Sequence, residues 1–586
     1  MSTDLTPVAD AFDRRRVRSA SGLLADFNLA GVLAPADVHV ATRVAHAVGE
    51  TGDEVLLAAA LAVRAVRQGS VCVDLSTIRD TAPDFVWPHP EQWQDALAAS
   101  PLVGEHILHV NEGLLYLDRY WTEEGQVCDD IRRRLAAPAP PVEDARLQLA
   151  LGQYFPGESY HEQRDAAEMA CRQWTSVIIG GPGSGKTTTI ARFLGALLTV
   201  SDRPLRIALA APTGKAAARM AQAVREATGE SGAKAFPEEH RDQIAALTAT
   251  TMHRMLGWQP GTSTRFRHTR SNTLPHDVVI IDETSMVSLT LMARLLEAMP
   301  PNARLVLVGD ADQLASVDAG AVLKDLVEGL GPDSGAVSTL ATTHRYGPLI
   351  GALAEAIRRG DADGAVAALQ TGDDHVSLVR DARDARDAVT SAAVAMLEAA
   401  DGGDRAAALA ALDSHRLVCA HREGEFGVRT WNRKVERWLL ERTGADWLPQ
   451  WYPGQPLLVT ANDYGLDLFN GDTGVVTRSA PGSRDLVACI ATGTAGQGRD
   501  YPLTRLANVE TAHAMTVHRS QGSQFDAVTV LLPMPDSPLL TRELLYTAVT
   551  RARKTVRVVG STDAVRTAVD RRAQRASGLA RRLRSQ

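Results

Sequence analysis

The stretch SVIIGGPGSGKTTTIARF, residues Ser176 to Phe193, passes from a short apolar run through a glycine-rich turn into a predicted helix. Its middle, Gly180 to Thr187, fits G-x-x-x-x-G-K-[ST], a pattern in which successive backbone N–H groups curl around a phosphate chain. In such a loop Lys186 contacts the β- and γ-phosphates and the Thr187 hydroxyl holds Mg²⁺. The order of strand, loop and helix predicts an α/β nucleotide-binding domain; the alternative is a glycine-rich turn without consequence.

The residues expected to line this phosphate-binding loop, the P-loop, belong to the turn and to the first helical turn after it. They are Gly180, Gly181, Pro182, Gly183, Ser184, Gly185, Lys186, Thr187 and Thr188. Their predicted ligands are ATP and Mg²⁺.

A second apolar run, in HDVVIIDETSM, ends in two adjacent carboxylates. Val278 to Ile281 predict a buried strand, and Asp282 and Glu283 follow at its carboxyl end, where ligands of open α/β sheets gather. We expect Asp282 to bind the Mg²⁺ and Glu283 to orient and deprotonate the attacking water. In isolation, such a pair is also typical of an acidic strand end at the surface.

A third predicted strand, in ARLVLVGDADQLASV, ends in Gly309 and Asp310 and is followed by Gln313. The uncharged amide of Gln313 can contact the γ-phosphate or the attacking water, and can thereby report the loss of that phosphate. A motor requires such a sensor, whereas a kinase or a simple GTPase has no obvious need for one.

Length and composition set the broad class. A chain of 586 residues exceeds what one hydrophobic core usually supports, so several domains are expected. No apolar run is long enough to span a bilayer and the first residues lack the apolar core of a secretory signal, which predicts a cytoplasmic protein without a membrane contact. The five cysteines form no CxxC pair and are predicted to be small buried residues rather than metal ligands. The net charge of -8 means that any DNA binding needs a local groove.

Eight segments occur in the order of a known motif series: GGPGSGKTTT, AAPTGKAAARM, TATTMHRMLG, VVIIDETSM, LVLVGDADQLASV, THRYG, TAHAMTVHRSQGSQFD and LLYTAVTRARKTV. The series resembles that of superfamily 1 helicases of the 5′-to-3′ class. Within that class it is most similar to the RecD family, the alpha subunits of exodeoxyribonuclease V (RecBCD). The resemblance runs from about Gln163 to the strand after Lys554, and Ser184 stands where many relatives have threonine.

The resemblance implies an ATP-dependent 5′-to-3′ helicase that translocates on single-stranded DNA as a subunit of a RecBCD-type helicase-nuclease. The implied partners are RecB-like and RecC-like subunits in a heterotrimer and DNA with double-stranded ends, in double-strand-break repair and recombination. No nuclease constellation is visible in the chain, so cleavage is expected in a partner. Two alternatives stay open: a free-standing RecD-like DNA helicase, and an architectural subunit whose ATPase has decayed, which the full set of ATP-site residues disfavours.

The resemblance also assigns roles beyond the P-loop lobe. Arg345 and Arg551 would act as arginine fingers on the γ-phosphate, and Gln163 would contact the adenine edge. Without the family motifs, these arginines would be typical surface salt-bridge residues and Gln163 an exposed helix residue, and a lone histidine is more often structural. The residues expected to contact single-stranded DNA are Thr213, Lys215, His253, Thr516 and His518.

The predicted fold is α/β, with two tandem RecA-like doubly wound parallel-sheet domains, a mixed, mainly helical N-terminal domain and a small SH3-like β-barrel insertion. The predicted N-terminal domain, 1–140, docks partners and ends in the proline-rich linker RRLAAPAPPVEDA. The RecA-like domains are 141–345 and 346–586, with the insertion at about 445–508, where the alternative is a surface excursion of the second sheet. The basic tail RRAQRASGLARRLRSQ is assigned no function, because most such tails are solvated.

Overall fold

The computed structural model describes residues 13–229, 236–259, 265–342, 347–371, 374–444, 449–463, 465–491 and 497–585. The N-terminal region is helical around a small antiparallel sheet of Cys72–Asp74, Leu114–Leu117 and Leu108–Asn111. The last two strands pair directly as an antiparallel hairpin. The helices of the N-terminal region are Gly22–Leu29, Pro35–Ala47, Asp53–Arg67, Pro90–Ala99, Pro101–Gly104 and Asp118–Ala136.

The first lobe is a parallel sheet, six-stranded in the described residues. In spatial order its strands are Ala249–Thr251, Ile207–Ala211, Val278–Ile281, Arg304–Gly309, Thr175–Gly180 and Val337–Leu340. Val279 and Ile281 pack in one apolar cluster while Val278 and Ile280 pack in another, so both faces of the sheet are buried. Burial on both faces is why these strands read as continuous apolar runs in the sequence.

The second lobe has a parallel sheet in which the described part of the chain supplies five strands. In spatial order they are Val376–Val379, Ala552–Val559, Phe525–Leu531, His415–Cys419 and Ala514–Thr516. The prediction of two doubly wound parallel sheets in tandem is therefore confirmed. In both sheets the carboxyl ends of the strands carry the motif loops, because parallel strands present these ends at one edge.

The helices of the two lobes follow or precede their strands in the alternation that the sequence predicts. In the first lobe they are Asp144–Tyr154, His161–Arg172, Lys186–Val200, Gly214–Thr228, Glu238–Ala245, Met252–Met255, Leu289–Ala298 and Val322–Leu330. In the second lobe they are Pro348–Arg359, Ala362–Gln370, Arg386–Asp401, Arg405–Ser414, Val428–Thr443, Val517–Ser520, Arg542–Val549 and Thr562–Asp570. All five cysteines are buried, as expected.

The predicted β insertion is a separate antiparallel sheet, here called the β subdomain. Its strands in spatial order are Gly498–Pro502, Leu486–Ala491, Thr473–Arg478, Pro456–Val459 and Val509–Thr511. Val475 and Cys489 pack against Met396 and Leu409, so the β subdomain rests on two helices of the second lobe. A small β subdomain in this part of the chain is thus confirmed, with its last strand reaching Thr511; residues 445–448 lie outside the described residues.

The helix Asp118–Ala136 lies before the predicted boundary at about 140, yet it packs on the first lobe. The buried Arg134 guanidinium donates to Thr175 Oγ1 and to the Trp174 carbonyl, both at 2.7 Å. Ile131 belongs to the same apolar cluster as Val279 of the sheet. The division of the chain into domains stays a prediction, but a cut at residue 140 would remove a helix that packs on the sheet of the first lobe.

The basic tail differs from its expectation, because residues 571–585 are packed rather than solvated. This segment, called the strap, returns from the second lobe to the N-terminal region and ends in the helix Leu579–Arg584. The Val71 amide donates to the Ala576 carbonyl at 2.8 Å, and Leu579 is fully buried in the core cluster of the first lobe. Leu583 lies against Gly329 of the first lobe, where a β-carbon would come within 2.8 Å of its side chain.

The strap is fastened by a buried carboxylate of the N-terminal region. Glu124 has 0% side-chain exposure and forms an ion pair with Arg582 at 3.1 Å. It also accepts hydrogen bonds from the Gly578 amide at 3.1 Å and the Ser577 hydroxyl at 3.2 Å. Burial raises the pKa of Glu124, and Arg582 and these donors oppose that rise. The short basic tail is therefore part of the packed structure, joined to the N-terminal region by these contacts.

Replacing Arg582 with methionine is expected to lower the free energy of unfolding by about 3 kcal/mol, because it leaves the Glu124 carboxylate buried without its cation. Thermal unfolding of the full chain is the measurement. The control is Arg584→Met in the same helix, since the exposed Arg584 donates, among the residues that the structure describes, to the Glu328 carbonyl alone. Equal unfolding temperatures for the two variants would show that the ion pair does not stabilise the strap.

Candidate nucleotide-binding site

The P-loop connects the strand Thr175–Gly180 to the helix Lys186–Val200, as predicted. Gly183 and Gly185 have φ angles of +91° and +83°, a conformation that glycine adopts without steric cost. Lys186 Nζ donates to the carbonyl oxygens of Gly180 at 2.5 Å and Gly181 at 3.0 Å. The nine predicted cradle residues are thus brought together in the loop and first helical turn, with the ammonium group folded over the loop.

The predicted acidic pair lies at the end of the buried strand Val278–Ile281. The Glu283 amide donates to Asp282 Oδ1 at 2.8 Å, and Glu283 has a φ of 51°, which is uncommon for a residue other than glycine. Burial and the neighbouring Glu283 raise the pKa of Asp282, while Lys186 opposes that rise. Lys186 of the P-loop is therefore close enough to Asp282 to interact with it electrostatically.

Gln163 is buried beside the P-loop, next to Ser184 of that loop. Gln163 is 4% exposed, and its Nε2 donates to the Ser184 carbonyl at 3.4 Å. Gln163 Oε1 and Ser184 Oγ are buried without a hydrogen-bond partner among the described residues. Unpartnered polar atoms beside a phosphate cradle fit a polar ligand such as a nucleotide. The prediction of an exposed helix residue at Gln163, made without the family motif, would have been wrong.

Gln313 lies at the contact between the lobes. Its Nε2 donates to Asp310 Oδ2 at 3.0 Å, and the same oxygen accepts from the Tyr546 hydroxyl of the second lobe at 3.2 Å. The Leu314 amide donates to Thr547 Oγ1 at 2.9 Å. Sequence reasoning missed Tyr546 and Thr547. The feature of the sequence that could have identified them is the presence of two polar residues within the apolar segment of the helix Arg542–Val549.

Of the two predicted arginine fingers, the structure describes Arg551 but not Arg345. Arg551 is 1% exposed, and its guanidinium donates within the second lobe, to the Thr547 carbonyl at 3.0 Å and the Ser523 carbonyl at 3.4 Å. Arg551 is therefore not the surface salt-bridge residue that would be expected without the family motifs. Arg345 lies outside the described residues, so its role stays a prediction.

The threonines predicted to contact DNA are helix N-caps. Thr213 Oγ1 accepts from the Ala216 amide at 3.2 Å, and Thr516 Oγ1 accepts from the Arg519 amide at 3.3 Å. Thr251 caps its helix in the same way through the Arg254 amide, at 3.2 Å. Such caps orient backbone N–H groups toward the loop that precedes the helix, an arrangement suited to phosphate oxygens.

One sequence unit, Thr-x-His-Arg, occurs at an edge strand of each lobe. Residues 251–254 follow the edge strand of the first sheet, and residues 516–519 follow that of the second. Burial lowers the pKa of His253, which lies beside Phe266, and lowers the pKa of His518 to about 4. Both histidines are therefore neutral near pH 7, which makes them hydrogen-bonding or stacking groups rather than cations.

Lys215 lies in a cleft between the first lobe and the β subdomain. Its ammonium group donates to Thr473 Oγ1 at 3.3 Å, and burial lowers its pKa to about 8. The cleft has a volume of about 690 Å³ and is bordered by the helix Gly214–Thr228, residues 249–251, Arg254, residues 467–473 and residues 522–524. Of the predicted DNA residues, Lys215 lines this groove, Thr213 and His253 are the sequence neighbours of the lining residues Gly214 and Arg254, and His518 lines a second cavity of about 380 Å³ beside the strap.

Three parts of the chain match family models. Residues 163–319 match an AAA domain, residues 511–559 match the UvrD-like helicase C-terminal domain, and residues 29–116 match the N-terminal domain of RecBCD enzyme subunit RecD. In the described part of the chain, no helix is both long and apolar enough to cross a membrane.

Among curated proteins, the chain is 54% identical over 565 residues to RecBCD enzyme subunit RecD of Mycolicibacterium smegmatis, covering 95% of this chain and 98% of that protein. The same subunit of Mycobacterium tuberculosis is 53% identical over 581 residues, 97% of each chain. The ATP-dependent RecD2 DNA helicase of Deinococcus radiodurans is 31% identical over 506 residues, which are 83% of this chain and 61% of that protein.

Proposed function

The chain belongs to the RecD subunits of the RecBCD enzyme, and from this premise we propose that it is an ATP-driven 5′-to-3′ translocase on single-stranded DNA. Its proposed partners are RecB-like and RecC-like subunits in a heterotrimer that acts on double-stranded DNA ends, with cleavage carried out by a partner. The single observation that carries the proposal is a match to RecD subunits over nearly the whole of both chains, at more than 50% identity.

ATP and Mg²⁺ are the proposed ligands of the P-loop lobe. Gln163 would contact the adenine edge, the P-loop amides and Lys186 would hold the phosphates, and Thr187 with Asp282 would hold the metal. Bound Mg²⁺ would neutralise charge that develops on the phosphate oxygens. Glu283 would take the proton of the attacking water, and Arg551 and Arg345 would stabilise the transferring phosphoryl group.

The groove beside Lys215 is the proposed path of single-stranded DNA across the first lobe. The capped helix ends at Thr213 and Thr251 present backbone donors to phosphates, and the neutral His253 offers a ring for stacking. On the second lobe, Thr516 and His518 are the proposed DNA contacts, and His518 lines the separate cavity beside the strap. Because the net charge is -8, these local groups, rather than the overall field, must account for DNA affinity.

The free-standing helicase is the second candidate, and two observations weigh against it. The chain is 54% identical to the M. smegmatis RecD subunit but 31% identical to the D. radiodurans RecD2 helicase. The match of residues 29–116 to the RecD N-terminal domain points the same way. We therefore propose that this N-terminal region docks the partner subunits.

The test is ATP hydrolysis by the purified chain with and without single-stranded DNA, together with recovery of partners when the native protein is isolated. We expect DNA to stimulate hydrolysis and large RecB-like and RecC-like subunits to co-purify. A folded chain that DNA does not stimulate would favour the architectural subunit. A stimulated chain that is isolated without partners would favour the free-standing helicase.

Docking through the N-terminal region is tested in the full chain, because truncation would also remove buried contacts with the strap. Val86 is an apolar side chain of this region with 85% exposure, and Val86→Asp is expected to reduce partner recovery without reducing DNA-stimulated hydrolysis. The control is Leu149→Asp, which changes a side chain of 77% exposure on a first-lobe helix. Equal partner recovery by both variants would contradict docking at this face.

A further inference from the structure

We infer that Tyr546 is a positioning residue for ATP hydrolysis, which acts across the lobe interface by holding Gln313 through Asp310. The inference rests on the proposed function, since it concerns the same ATP site. Tyr546 belongs to the second-lobe helix Arg542–Val549 and is 4% exposed. Its hydroxyl donates to Asp310 Oδ2 of the first lobe at 3.2 Å.

The Tyr546 hydroxyl also lies at the P-loop. A β-carbon placed on Gly181 would be 3.1 Å from this oxygen, so the hydroxyl stands directly over the loop that is proposed to hold the phosphates. A second-lobe group is therefore in contact with both the phosphate cradle and the carboxylate that binds Gln313. Only a closed arrangement of the lobes permits both contacts.

Asp310 fixes the orientation of the Gln313 amide. Its Oδ2 accepts from Gln313 Nε2 at 3.0 Å, and its Oδ1 accepts from the Asp312 amide at 3.1 Å. Burial raises the pKa of Asp310, while Lys186 opposes that rise. In its ionised form this carboxylate only accepts hydrogen bonds, so the NH₂ group of Gln313 faces Asp310 and the carbonyl oxygen faces away. Gln313 Oε1 is buried and has no hydrogen-bond partner among the described residues.

An unpartnered amide oxygen selects between the two contacts that the sequence left open for Gln313. Phosphate oxygens are acceptors and gain nothing from a second acceptor, whereas a water molecule can donate to Oε1. The geometry therefore suits orientation of the attacking water. Tyr546 contributes by holding the carboxylate that sets this orientation.

The backbone after Gln313 is also held by the second lobe. The Leu314 amide donates to Thr547 Oγ1 at 2.9 Å, and the Leu314 carbonyl accepts from Gln521 Nε2 at 2.8 Å. Movement of the second lobe must therefore displace Gln313 together with its loop. Through these contacts, hydrolysis becomes dependent on lobe closure.

The test is Tyr546→Phe in the full chain, assayed for ATP hydrolysis at saturating single-stranded DNA. We expect kcat to fall about tenfold, because one hydrogen bond to the positioning carboxylate is lost, while KM for ATP changes less than about threefold. The thermal unfolding temperature should match that of Tyr154→Phe. This control loses a comparable hydroxyl contact, to His240 at 3.0 Å, away from Asp310.

A double variant shows whether Tyr546 acts through Gln313. If it does, Tyr546→Phe combined with Gln313→Ala should be no slower than Gln313→Ala alone. Additive losses, or a kcat of Tyr546→Phe within about twofold of the original chain, would overturn the inference. Should Tyr546→Phe fold poorly, Asp310→Asn provides the second test, with the same expected loss of kcat. Absence of DNA-stimulated hydrolysis in the unmodified chain would instead refute the proposed function.

Discussion

Arg551→Lys is expected to lower DNA-stimulated ATP hydrolysis by about a thousandfold, the usual contribution of an arginine finger. Lysine keeps the positive charge but cannot present the planar fork that meets two phosphate oxygens at once. Arg551 also donates to the Thr547 and Ser523 carbonyls, so its orientation depends on the same helix that carries Tyr546. Steady-state hydrolysis at saturating DNA is the measurement.

Because Arg551 is buried, a loss of activity must be separated from a loss of stability. Thermal unfolding and binding of a fluorescent oligonucleotide by the same preparation serve this purpose. Arg566→Lys is the matched control, since Arg566 lies on the second-lobe helix Thr562–Asp570 and pairs with the exposed Asp363. Normal hydrolysis by Arg551→Lys would remove this residue from the proposed catalytic set.

Glu283→Gln is expected to slow hydrolysis by about a hundredfold or more, because the variant has no base to accept the proton of the attacking water. The amide has nearly the shape of the carboxylate, and glutamine meets the same backbone cost as glutamate at a φ of 51°. ATP binding should therefore persist, as measured with a fluorescent ATP analogue. A change in KM with unchanged kcat would point to a binding role instead.

The control for Glu283→Gln is Glu297→Gln, which removes a carboxylate of the same lobe that pairs with Arg294 at 2.5 Å. This variant should keep the original rate. Hydrolysis by Glu283→Gln at a rate close to that of the control would show that another group acts as the base.

Features specified by neighbouring residues could be predicted from the sequence. The P-loop and the acidic pair each follow one apolar strand, and parallel strands bring their carboxyl ends to one edge of a sheet. The sequence pattern therefore predicts both the two sheets and the proximity of Lys186 to Asp282. The motif series adds Gln163, whose burial no local pattern indicates.

Contacts between distant residues could not be predicted in this way. Tyr546 meets Asp310 across 236 positions, and only the packing of one lobe on the other brings them together. The composition of the strap does not indicate that it is packed, because arginines dominate it. Leu579 and Gly578 determine how it packs. In addition, its main acceptor, Glu124, lies 454 positions earlier than Gly578.

The strap has a consequence for the order in which the chain can fold. Chains emerge from the ribosome starting at the N-terminus, and early domains commonly fold before later ones are made. Glu124, however, must wait for Gly578 and Arg582, which are synthesised after both lobes. Until then, the nascent N-terminal region keeps this carboxylate hydrated and the site of Leu579 open. A chain whose synthesis ends before residue 577 would therefore contain all the strands of both sheets. It would lack the strap residues that pair with Glu124 and fill the site of Leu579.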